Sequence, residues 1–78
     1  MPKYFFETFD GKTAWPDDRG IDCHSRGQVS DQAVRALVDM VRDELPDGSA
    51  REFRVVVRDE ALITVFEASL VLNSSWND

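Results

Sequence analysis

The sequence predicts an α+β domain in the order ββαββ: a four-stranded antiparallel sheet with one helix packed on one face. Three observations carry this reading. Ser25 to Leu45 holds the only sustained helical periodicity. Residues 3–9, KYFFETF, are aromatic-rich and end at Asp10-Gly11, a turn dipeptide. Residues 52–58 and 62–72 alternate in the manner of strands.

Taken in order, the first strand presents Tyr4, Phe6 and Thr8 on one face and Phe5, Glu7 and Phe9 on the other, so alternation alone does not choose the core side. Asp10-Gly11 readily adopts the positive φ angles of a type I′ hairpin turn. The returning strand, Lys12 to Trp15, stops at Pro16, and Ile21 to Cys23 briefly extends the sheet.

In the helix, with Val34 at zero and 100° per residue, Leu37, Val38, Val41 and Leu45 fall within about 60° on either side, widened by Ala33 and Met40. Two starts are open: Ser30 as cap, with Val29 and Val34 as a hydrophobic staple, or Ser25 with Gln28 as an S-x-x-Q capping box. Pro46 ends the helix, giving a span of about 26–45, and Asp47-Gly48-Ser49 is turn chemistry. Phe53, Val55 and Val57 then face the core, followed by a turn near Asp59 to Ala61. In the last strand Leu62, Thr64, Phe66, Ala68, Leu70 and Leu72 point inward, and Ile63, Val65 and Val71 outward. The tail from residue 73 to 78 is polar except for Trp76 and is expected to fray. A crossover over the first strand places the four strands in the spatial order 2-1-3-4.

Seventy-eight residues make a single domain, 1–78, whose core is small for its surface. One cysteine and one histidine exclude an internal disulfide and a Cys/His zinc site, which leaves self-association as the expected supplement to the core. The opening residues lack a secretory pattern and no segment is long and apolar enough to span a membrane, so a cytoplasmic location is expected. Fifteen acidic against nine basic residues give a net charge of −6, which disfavours nucleic acid.

The residues Met1-Pro2-Lys3-Tyr4-Phe5-Phe6, Asp10-Gly11, Asp17-Asp18-x-Gly20, Ala33, Arg35-Ala36-Leu37 and Val57-Arg58-Asp59-Glu60 resemble a family of short alphaproteobacterial proteins classed as a domain of unknown function. The resemblance implies no activity. It does imply a helix starting after Ser25, and a first strand whose Tyr4, Phe6 and Thr8 face inward. Gly27 departs from the family pattern, where a better helix former is usual, as does Phe9, where a polar residue is usual.

No catalytic residues, metal ligands or cofactor site are expected. Cys23-His24 is the only nucleophile beside a base, but neighbours on a strand point to opposite faces, so a buried thiol is the simpler reading. Asp17, Asp18 and Asp22 lack cation-loop spacing and read as a solvated turn. Tyr4-Phe5-Phe6 on a sheet invites comparison with base-stacking platforms, but only one strand carries such residues. What stands out is the outer sheet face: Phe5, Phe9, Val56, Ile63 and Val65 with Arg54 and Arg58, an apolar set of the kind that marks an interface. The expected function is therefore a non-enzymatic protein-interaction module, a homodimer self-associating through that face or meeting a protein partner on it. The alternative is an acidic antitoxin-like regulator, similar to the HicB type, that binds a basic RNA-acting partner.

Overall fold

The structure, a computed structural model, describes residues 2–43 and 50–77. It comprises β1 (Lys3–Phe9), β2 (Ala14–Trp15), β3 (Ile21–Asp22), α1 (Arg26–Asp43), β4 (Ala50–Arg58) and β5 (Thr64–Asn73). The sheet runs β2-β1-β4-β5, and β3 also pairs with β1. All these pairings are antiparallel, and the order of the four expected strands is the one the crossover argument gives. Because β3 and β4 are both antiparallel to β1, they run parallel to each other, with α1 crossing β1 between them.

β1 is central because both its faces carry bulky side chains, and its inner face is the one that the family resemblance implied. Phe6 is buried and Tyr4 packs beside it. Phe53, Val55 and Val57 form the floor of the core, with Phe66 and Ala68 opposite Val57 and Val55 on β5. Cys23 is buried in the same cluster, whereas His24 is exposed.

α1 starts at the earlier cap. Ser25 Oγ accepts the Gln28 N–H at 3.2 Å, satisfying one of the helix's unpaired amides, and Gln28 Oε1 reaches back to accept the N–H of His24, the residue before the cap. The apolar stripe is turned from the expected one. Val29, Ala33 and Leu37 are buried, whereas Val34 and Val38 are 50% and 45% exposed. The small side chain of Ala33 lets the helix axis approach the sheet, and its i±4 neighbours Val29 and Leu37 then fill the space on either side. The expected stop at Pro46 and the turn at Asp47-Gly48-Ser49 lie outside the described residues.

Gly27 occupies open space, since an added Cβ would meet only Ser25 Oγ at 3.7 Å. Gly27→Ala is therefore expected to stabilise the domain by about 0.5–1 kcal/mol. Circular dichroism should record a thermal midpoint roughly 3–8 °C higher. A lowered midpoint would mean that the first turn needs the glycine.

The turns differ from their simplest readings. Of Asp10 and Gly11 only the glycine has positive φ, at 95°, so the hairpin is not type I′. Asp10 instead organises the turn: its Oδ1 accepts the N–H groups of Lys12 at 2.9 Å and Thr13 at 2.7 Å. Between β4 and β5, Asp59 Oδ1 likewise accepts the Ala61 and Ile63 N–H groups at 2.9 and 3.0 Å. This turn holds Leu62 at a φ of 66° and keeps Leu62 and Ile63 out of the strand, so the inward place expected for Leu62 is not taken. Val57 pairs with Phe66 but Arg58 with Thr64, which makes Val65 the extra residue of a β-bulge. Leu70, expected beneath the helix, is 43% exposed because β5 is the edge strand and the helix covers it only in part.

Candidate functional site

Register assembles the outer sheet face. Phe5, Glu7 and Phe9 on β1 lie opposite Arg58, Val56 and Arg54 on β4, and Val56 and Arg54 in turn lie opposite Glu67 and Ser69 on β5. Five of the seven expected residues, Phe5, Phe9, Val56, Arg54 and Arg58, therefore share one surface. Ile63 does not, because it sits in the β4–β5 turn. Val65 does not either. The bulge breaks the alternation there, and Val65 borders a cavity of about 170 Å³ with Tyr4, Arg26, Val29 and Phe66, beside the helix.

The face is a chequerboard and not an apolar sheet. Each aromatic of β1 stands across from a guanidinium, and Glu7 lies between them. Arg58 Nη1 donates to Glu7 Oε1 at 2.9 Å, and Arg54 pairs with Glu52 at 3.5 Å on its own strand. Phe5, Phe9 and Val56 are half-buried by these longer neighbours, whose aliphatic stems can cover apolar surface while their charges remain in water.

Beside Phe5 the face deepens into a cavity of about 250 Å³ bordered by Glu7, Pro16, Asp17, Asp18, Arg58 and Leu62. Pro16, Asp18 and Leu62 carry no sequence signal for this position, which depends on the path of the loop between β2 and β3 and, for Leu62, on the β4–β5 turn. Asp17 shapes that path. β2 pairs with Thr8 and Phe9 and β3 with Lys3 and Tyr4, leaving the middle of β1 without a strand on that side. The Asp17 carboxylate fills the gap: Oδ2 accepts the Phe6 N–H at 3.0 Å, while Oδ1 accepts those of Arg19 and Gly20 at 3.1 and 3.0 Å. Burial pushes the Asp17 carboxyl up, but the N–H donors of Phe6, Gly20 and Arg19 outweigh it and hold it below its ordinary value. Of the three aspartates read as a solvated turn, Asp18 and Asp22 are exposed and Asp17 is a structural acceptor.

At the opposite end of β1, Asp10 is the one charged residue buried among those described. Arg51 Nε donates to its carbonyl oxygen at 2.6 Å, a guanidinium nitrogen lies 3.7 Å from Oδ2, and the same guanidinium stands 5.4 Å from the centre of the Phe53 ring. The Thr13 and Lys12 N–H groups, with the Arg51 charge, hold the Asp10 carboxyl below its ordinary value against desolvation. This cluster locks the β1–β2 turn to β4.

A polar cavity of about 250 Å³ beside β3 is bordered by Asp22, His24, Gln28, Asp31, Gln32 and Arg35, with Cys23 at its back. Burial and the neighbouring Asp22 push the Cys23 thiol up, away from the thiolate that nucleophilic chemistry needs. Among the described residues no three His, Cys, Asp or Glu side chains gather closely enough to hold a metal ion, and no helix is long and apolar enough to cross a membrane.

Exposed apolar residues also lie beyond this face, among them Trp15, Ile21 and Leu62, Leu70 on β5, and Val34 and Val38 on the helix flank, while Val71 lies on it opposite Glu52. The signal for the helical pair, Val34 and Val38, is the width of the stripe. From Val29 to Val38 it covers about 180°, where one sheet contact needs about 100°.

No curated protein and no solved structure matches the chain. A family model matches residues 3–71, and its description is a domain of unknown function, DUF6894.

Proposed function

This chain belongs to the DUF6894 family of domains of unknown function, and from that premise we propose that it is a non-enzymatic protein-interaction module that works as a homo-oligomer. The observation that carries the reading is the balance of apolar surface. Eight apolar residues are buried in the core cluster, while Val34, Val38, Ile63, Val65, Leu70 and Val71 stay exposed among the described residues. A domain this small gains little from its own core, and burying that surface between chains supplies what the core lacks.

The outer sheet face is offered as a contact surface for a protein partner. Phe5, Phe9 and Val56 supply apolar contact, and the exposed Arg54 with the Arg58–Glu7 pair forms a polar frame that suits a partner segment mixing apolar and acidic side chains.

Sedimentation equilibrium tests the proposal. The wild-type chain is expected to be dimeric at micromolar concentration, and a protein that stays monomeric at high micromolar concentration would remove the idea. Phe9→Glu in the same experiment reports whether the outer face carries the self-contact.

A further inference from the structure

We infer that two copies join edge to edge through β5, with the Val34/Val38 flank of α1 meeting its counterpart above the joined strands. The inference rests on the homo-oligomeric reading and names its contact. β5 ends the sheet, and among the described residues no strand pairs with its outer side. Beyond the bulge, Phe66–Asn73 is a run of eight residues without proline, whose single charge is Glu67. Folded proteins usually blunt such an edge with lysine, proline or a covering loop, because its unpaired amides and carbonyls are a template for another strand. Here the bulge at Val65 protects only one end.

The helix stands near enough to the edge to meet a second copy. α1 lies over β4 and reaches β5 on one side and β1 on the other. A two-fold axis normal to the sheet pairs β5 antiparallel with its copy and keeps both helices on one face. The two helix axes are then between two and three strand spacings apart, about 10–14 Å, so their facing flanks border one cleft above the joined strands.

The flanks fit as well. Gln28, Asp31, Gln32 and Arg35 border the cavity beside β3, and Val34 lies across the helix from Gln32, so the Val34/Val38 flank is the one toward the β5 edge. Val29 and Phe66 border one cavity. From there, seven helical residues and three strand residues each advance about 10 Å, which places the middle of the Val34–Val38 pair above Ser69. A two-fold axis at Ser69 sets Ala68 opposite Leu70 of the other copy and Glu67 opposite Val71, so the strand's one charge does not meet itself. An edge about 27 Å long and about 20 Å deep, one sheet and one helix thick, covers roughly 1,100 Å² over both copies, within reach of a specific interface.

The experiment combines sedimentation with amide hydrogen exchange on the full chain. Wild type is expected to dimerise, with consecutive amides of Phe66–Asn73 protected in a concentration-dependent way. In an unpaired edge strand only alternate amides are bonded. Val38→Glu, an exposed change that leaves the core intact, should weaken dimerisation at least tenfold. Phe9→Glu should leave the dimer unchanged. A dimer lost in Phe9→Glu and kept in Val38→Glu overturns the edge contact while homo-oligomerisation stands. A monomeric wild type removes both.

Discussion

Phe53→Ala is expected to remove most of the stability of the domain. The ring is 0% exposed at the floor of the core, beneath the Arg51 guanidinium and across from Leu70. Deleting a buried phenylalanine costs about 3–5 kcal/mol, because the transfer energy is lost and the cavity only partly collapses. A chain of this length holds about 4–12 kcal/mol in total. The variant should therefore have its urea midpoint lowered by roughly 2–3 M, or be unfolded before denaturant is added. Arg51 would also lose its aromatic support, loosening its hold on the Asp10 carbonyl. Val55→Ala, at an equally buried site, removes fewer atoms and should cost less. A Phe53→Ala loss below about 1 kcal/mol would show that β4 is not the floor of the core.

Asp17→Ala is expected to be the most damaging change outside the core, although Asp17 lies in a loop of polar appearance. Its carboxylate accepts from Phe6, Arg19 and Gly20, and the Phe6 donor belongs to the stretch of β1 left open between β2 and β3. Removing it leaves these donors to water, at a cost of about 2–3 kcal/mol. The same contacts make stability depend on pH. The folded carboxyls of Asp17 and Asp10 are held below their ordinary value, so the unfolded chain takes up protons at a higher pH than the folded one. Their contribution is complete above an unfolded value of about 3.9 and disappears as the pH falls through the lower folded values. Urea titrations between neutral pH and pH 3 should show stability falling in the acid range, with a shallower fall in Asp17→Ala. An unchanged pH profile in that variant would show that the carboxylate does not hold the loop.

Much of the fold is legible because the signals are local. The Ser25–Gln28 box marks the start of α1 through one turn of backbone, and the Phe53/Val55/Val57 alternation identifies the core face of β4. The pairing of β1 with β4 is the crossover rule applied to these elements. The candidate site was legible in part. Phe5, Phe9, Val56, Arg54 and Arg58 share a face because each strand holds its period across the register. Val65 and Ile63 leave it where the period is broken by a bulge and a turn set by Asp59.

The sequence by itself determined which stretches are strand and helix, narrowed the helix start to Ser25 or Ser30, grouped the apolar residues of β1 and β4 by face, and pointed to more apolar surface than one small core takes in. Only the tertiary structure decided that Ala33, and not Val34, faces the sheet, that Asp17 completes the broken edge of β1, that Asp10 is held by Arg51 from 41 residues away, and that Val34 and Val38 stay exposed on the helix flank. The reason is physical. Periodicity and capping act within a turn or two of chain and say which residues travel together. What lies opposite them is settled by how closely two elements approach, and that depends on side chains brought together from distant parts of the sequence.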